Sequence, residues 1–158
     1  MENKVEGRNN VNKVREIDTR EYLTVLRELT EEGKEVSLVI SGSSMAPFLI
    51  HHRDSIYFKK PDRKLRKGDM VFYERPGGQF VMHRICKVGK EGLYLVGDAQ
   101  TEIEGPLDES RVFAIVIQVC RKGKILRPGD FWWEFFEHIW IRLIPFRRVL
   151  VHWYGRVH

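Results

Sequence analysis

The chain has little of what small folds use as staples. Cysteine occurs twice in 158 residues, at Cys86 and Cys120. Both lie inside apolar, strand-like runs, where a small buried hydrophobe is the ordinary role. This excludes a disulfide scaffold and any zinc-ligand spacing, and no metal or other cofactor is expected. Long hydrophobic runs are missing as well. Met1 to Arg20 is polar and lacks the apolar stretch of a signal peptide or membrane anchor, so nothing here directs the domain outside the cell. No internal repeat and no low-complexity block occurs.

What is present suits one folded unit. Hydrophobic residues make up 42% and charged residues 31%, which supports a packed core and excludes disorder as the dominant state. The length favours a single domain with tails: a polar arm over 1–17, a β domain with a leading helix over 18–127, and an aromatic tail over 128–158, with Pro128-Gly129 as the clear boundary. The net charge of +5 is spread over Arg53 to Lys67, Arg121 to Arg127 and Arg142 to Arg156. Solvated surface is one reading and an anionic partner the other. An anionic membrane surface fits better than nucleic acid, because the last basic cluster is interleaved with tryptophan and phenylalanine.

Asp18 followed by Glu21 forms a capping-box pattern, and Tyr22, Leu26 and Leu29 recur at helical spacing up to Gly33. Beyond Glu35 the pattern changes. Val36 to Ser41, Ser55 to Phe58, Met70 to Glu74, Gln79 to Val88, Leu93 to Val96 and Val112 to Arg121 read as strands. Turn signals separate them at Lys67-Gly68-Asp69, Pro76-Gly77-Gly78, Gly89 to Gly92 and Gly105-Pro106. Short strands with close turns and no intervening helices predict a mostly β, compact antiparallel domain and argue against a nucleotide-binding α/β sheet.

The candidate chemistry begins at Ser41-Gly42-Ser43-Ser44-Met45-Ala46-Pro47, directly after the apolar run Ser37 to Ile40. A serine on a tight turn at a strand's end, met by an imidazole from another strand, is a way to activate a hydroxyl. His83 in the strand Phe80 to Val88 is the imidazole available. Each has a plain structural alternative: Ser44 as the cap of a helical turn, His83 as a satisfied strand residue. Alternation sends Val81, His83 and Ile85 to one face and Met82, Arg84 and Cys86 to the other, which makes Cys86 a poor rival nucleophile. Asp98, after Val96-Gly97, is placed to hold the second imidazole nitrogen or to serve as an ordinary turn aspartate.

Four blocks taken together carry a resemblance: Ser43-Ser44-Met45-Ala46-Pro47, Lys67-Gly68-Asp69-Met70-Val71, Val81-Met82-His83-Arg84-Ile85 and Val96-Gly97-Asp98. In order and spacing they resemble the type I signal peptidase and LexA-like serine peptidase superfamily, from about Val36 to Lys124. His83 stands where many relatives carry a lysine base, so the chain is similar to the histidine-base branch that includes ER-type signal peptidases. The resemblance implies a LexA/signal-peptidase-like β domain in which Ser44 attacks the scissile carbonyl and His83 is the general base. It also implies support from Asp98 and from a second acid, matched by Glu104. A backbone N–H near Ser44 would hold the oxyanion. Some relatives place a side-chain donor where Gly42 stands, so Ser43 or the main chain takes that role here.

The segment Phe131 to His158 contains Trp132, Trp133, Trp140 and Trp153. Glu134, Glu137, His138 and Arg142 form a narrow polar stripe at helical spacing. Pro145 should bend or break the helix, and Arg147, Arg148, His152 and Arg156 continue a similar stripe. Charges interrupt the run too often for a membrane-spanning helix, which leaves an interfacial amphipathic helix or packing on the chain's own β domain or a second copy. The expected function is serine endopeptidase cleavage of membrane-associated precursor or leader peptides, with peptide or precursor-protein substrates and no nucleic acid. Peripheral membrane association is expected, with a cytoplasmic location the alternative. Two other functions fit the same fold: a LexA-like self-cleaving regulator, and a noncatalytic peptide- or partner-binding β domain.

Overall fold

The computed structural model of the protein describes residues 20–157. The polar arm and Asp18 of the capping-box pattern lie outside the described residues. Helix α1 covers 20–31 and stops at Gly33, whose left-handed backbone (φ +81°) lets the Gly33 and Lys34 N–H groups bond back to the Thr30 and Leu29 carbonyls. Leu26 is buried, and Leu23 and Leu29 pack beside it, whereas Tyr22 stays half exposed. The apolar stripe of α1 is therefore set by the leucines rather than by Tyr22.

Eight antiparallel strands follow: β1 (Val36–Val39), β2 (Ser55–Lys59), β3 (Met70–Glu74), β4 (Phe80–Val88), β5 (Leu93–Val96), β6 (Glu104–Leu107), β7 (Val112–Arg121) and β8 (Lys124–Leu126). Their order in the sheet is β1-β2-β7-β3-β4-β5-β6, with β8 paired to β7. The mostly β, antiparallel architecture read from the sequence is the one observed. Two strands were not anticipated. β6 contains Gly105-Pro106, which reads as a turn but lies on the sheet edge, where a missing N–H costs no ladder bond. A side chain at Gly105 would meet the Leu93 carbonyl at 2.6 Å, so glycine is needed for that pairing. β8 returns through Lys122 and Gly123, both left-handed at φ +50° and +77°, as a tight hairpin demands.

Both faces of the central strands are covered. Along β3, Met70 and Phe72 enter a core shared with Phe48, Ile56, Phe113 and Val119, while Val71 and Tyr73 enter a second core with Ile85, Leu95 and Ile115. This two-sided burial explains why β3 reads as an unbroken apolar run. On β4 the alternation holds until Cys86, where the pairing with β5 slips between Ile85 and Lys87. Cys86 occupies that irregularity with its thiol toward the Tyr94 carbonyl, and burial pushes the thiol pKa up.

The tail is helical but not one helix broken at Pro145. α2 (Phe131–Glu134) runs into a wide π-type turn over Phe135–Ile139. A tight 3-10 segment over Trp140–Phe146 absorbs Pro145, and α3 (Arg147–Val157) follows. Trp133, Phe136 and Trp140 join the first core, with the Phe136 ring stacked on Phe48 at 4.6 Å. The expected polar stripes are corrected here, because Glu137 is buried against Gly68 and Arg147 is buried under the 97–100 turn. The first half of the tail thus packs on its own β domain. No described helix is long and apolar enough to cross a membrane.

One ion pair ties these parts together. Arg84 and Asp98 are 1% and 0% exposed and bond through two contacts of 2.9 Å. Arg84 also donates to the Gly68 carbonyl, and the Trp140 indole N–H donates to the Asp98 carbonyl. Removing one member leaves the other charge buried without a partner, which typically costs about 3–5 kcal/mol. Asp98→Asn is therefore expected to lower the unfolding free energy measured by urea titration by that amount, while the double variant Arg84→Met/Asp98→Leu recovers a large part of the loss. A single variant within about 1 kcal/mol of wild type would contradict this account.

Candidate active site

The loop after β1 is built to present Ser44. Ile40 N–H donates to the Asp54 carbonyl and His52 N–H returns to the Ile40 carbonyl, both at 2.8 Å, so the loop closes on itself before β2. Buried Asp54 fastens its base, accepting from Ile50 N–H, Lys122 N–H and the Arg53 guanidinium. Gly42 adopts φ +95° and donates its N–H to His51 Nδ1 at 2.7 Å. It supplies the turn, and its N–H is already engaged, so it is not a free oxyanion donor. Ser43 is exposed, and its carbonyl accepts from Ala46 N–H as the tight turn closes.

Ser44 is held through its backbone. Its carbonyl accepts from Ala99 N–H at 2.9 Å. A side chain at residue 97 would sit 2.5 Å from that same oxygen, so Gly97 allows the 97–100 turn to approach. Arg147 clamps the turn from the tail, donating to the Gly97 and Gln100 carbonyls at 2.9 Å each. The Gly-Asp sequence that reads as a site motif is here the support on which the serine rests.

Ser44 and His83 line one cleft of about 810 Å³, whose walls include Leu38, Ile40, Met45, Phe72, Phe80 and Met82, with Arg75 and Gln100 at its polar side. No hydrogen bond joins the two side chains among the described residues, which is common when substrate is absent. His83 is nearly buried, and desolvation lowers its pKa to about 4. Glu104 and Asp98 oppose that shift and Arg75 reinforces it, but burial is the larger effect. The imidazole is consequently neutral at physiological pH and able to accept a proton.

Asp98 does not hold His83. His83 and Arg84 are neighbours on β4 and point to opposite faces, and the Asp98 carboxylate is spent on Arg84. The imidazole instead meets Tyr73, with 3.1 Å between His83 Nδ1 and the phenol oxygen. Tyr73 donates to Glu104 Oε1 at 2.8 Å, and Arg75 grips both carboxylate oxygens of Glu104 at 2.8 and 2.6 Å. That guanidinium holds the Glu104 carboxyl below its usual range even against desolvation. Glu104, the second acid matched by resemblance, therefore reaches the histidine indirectly. Tyr73 was missed from sequence, although the hairpin turn between β3 and β4 fixes its register opposite Val81 and so diagonal to His83.

Elsewhere, Glu134, Glu137 and His138 bring ligand atoms within 4.8 Å of one another. They belong to the tail and do not border the cleft. His138 lies 3.0 Å from Glu134, whose other oxygen accepts from Gly129 N–H.

No curated protein and no solved structure gives a match to the chain. A family model described as Peptidase S24-like matches residues 4–116, a span that includes Ser44, His83, Asp98 and Glu104. Such a match supports a serine peptidase or a self-cleaving regulator of LexA type. With that span and the antiparallel fold around it, the chain belongs to the Peptidase S24-like family.

Proposed function

We propose that the protein is a serine endopeptidase of signal-peptidase type, from the histidine-base branch, acting on peptide bonds of membrane-associated precursors or leaders. The observation that carries this reading is the placement of Ser44 and a buried His83 on one largely apolar cleft. In this mechanism His83 takes the Ser44 hydroxyl proton as Oγ attacks the scissile carbonyl carbon. The tetrahedral oxyanion is held by main-chain N–H groups of the Ser44 turn, and the proton passes from His83 to the departing amine. Water, activated by the same imidazole, then releases the acyl group. The apolar walls suit an extended substrate with small or apolar side chains beside the scissile bond.

The tail supplies the proposed route to membrane-held substrates. Phe131, Phe146, Val149 and Trp153 are each more than 60% exposed, and Arg148, His152 and Arg156 are exposed beside them. Aromatic and basic side chains together favour an anionic lipid surface. Binding to phosphatidylglycerol vesicles is expected to exceed binding to phosphatidylcholine vesicles and to weaken in Phe146→Ser/Trp153→Ser. Equal recovery with both lipids would reject the membrane assignment.

A library of presequences rich in small residues, presented on vesicles and read by mass spectrometry, tests the chemistry. Wild type is expected to cleave, and Ser44→Ala and His83→Ala are each expected to lose more than about 100-fold in rate while keeping the wild-type circular dichroism spectrum. Activity of both variants equal to wild type would remove the serine-histidine assignment, and absence of cleavage by all three would favour a noncatalytic peptide-binding domain. The pH profile adds a second check. His83 must be neutral to act, so activity is lost as pH falls through its pKa of about 4, rather than near about 6.5 as for a solvated imidazole. An acid limb centred at 6 or above would contradict the desolvated base.

A further inference from the structure

A phenol carries one proton, and at Tyr73 two neighbours compete for it. The hydroxyl lies 2.8 Å from Glu104 Oε1 and 3.1 Å from His83 Nδ1, and the residue is fully buried. Glu104 is paired with Arg75 through both oxygens, so it is an ionised carboxylate that accepts and cannot donate. The Tyr73 proton therefore goes to Glu104. What the phenol offers His83 is an oxygen lone pair, and this bond requires a proton on Nδ1. A neutral imidazole protonated on Nδ1 has its lone pair on Nε2.

We infer that Tyr73 is a positioning residue that fixes His83 as the Nδ1–H tautomer, leaving Nε2 free as the base, and that it connects the imidazole to the Glu104–Arg75 pair. When His83 takes up the serine proton on Nε2, the imidazolium keeps its Nδ1–H bond to Tyr73, and the Glu104 carboxylate lies one phenol away to balance the charge. No proton leaves Tyr73 in this scheme. The role resembles that of a buried acid in a catalytic triad, with a phenol inserted between acid and base. The inference rests on the proposed serine-histidine mechanism for its kinetic consequence, but the tautomer itself does not.

The test is a long-range ¹H–¹⁵N correlation spectrum of the full chain at pH 7, with the His83 signals identified by their disappearance in His83→Gln. The expected wild-type pattern is a protonated Nδ1 and a bare Nε2. In Tyr73→Phe, which keeps the buried ring, the proton is expected to move at least in part to Nε2, and kcat is expected to fall on the order of 100-fold with KM within about twofold. Glu104→Gln retains an acceptor for the phenol, so it should preserve the tautomer while lowering kcat. A wild-type His83 protonated on Nε2 overturns the inference without any variant, as does a Tyr73→Phe enzyme with unchanged tautomer and unchanged kcat. A chain that shows the Nδ1–H tautomer yet cleaves nothing would sink the peptidase mechanism and leave the tautomer assignment standing.

Discussion

The structure depends on a buried guanidinium-carboxylate pair. Arg84 and Asp98 sit in the interior with two hydrogen bonds between them, and the pair is useful for where it reaches rather than for net stability, since such pairs often only break even against apolar packing. Arg84 extends to the Gly68 carbonyl and lies 5.6 Å from the Phe48 ring centre. Asp98 extends through its main chain to Trp140. The turn at 66–69, the strand β4, the 97–100 turn and the tail therefore meet at one place. From the 97–100 turn the connection continues to Ser44, through Ala99 N–H and the close approach that Gly97 permits. Ser44 is thus located through its main chain rather than its hydroxyl.

His83 lies across the sheet from this support and has the opposite electrostatic problem. Arg84 is compensated by a full carboxylate, whereas His83 has only a neutral phenol in hydrogen-bond contact. Desolvation then dominates, and a pKa near 4 in place of about 6.5 corresponds to roughly 3 kcal/mol disfavouring the imidazolium. The carboxylate of Glu104 recovers part of that through Tyr73, at a distance that keeps the resting imidazole uncharged. Two acids near one histidine thus take different roles because strand alternation sends His83 and Arg84 to opposite faces.

The tail divides in the same physical way. Its first half buries Trp133, Phe136 and Trp140 in the main core, so this segment belongs to the body of the fold. Its second half, α3, carries Val149, Leu150 and Trp153 outward beside basic residues. Because Arg147 begins α3 and also holds the Gly97 and Gln100 carbonyls, the start of the outward helix is joined to the turn that supports Ser44.

The sequence by itself determined the antiparallel β class, most strand positions, and the placing of Ser44 on a turn and His83 on a strand. Alternation, turn residues and the Ser44 and His83 blocks are local signals, and local signals survive folding. β6 was hidden because Gly105-Pro106 looks like a turn unless the edge position is known. The partner of Asp98 and the role of Tyr73 were decided only by tertiary structure, because each depends on which face of β4 a side chain takes and which strand lies beside it. The same holds for Glu137 and Arg147, polar in sequence yet buried, since a helical stripe records spacing but not the carbonyls and glycines that it will be packed against.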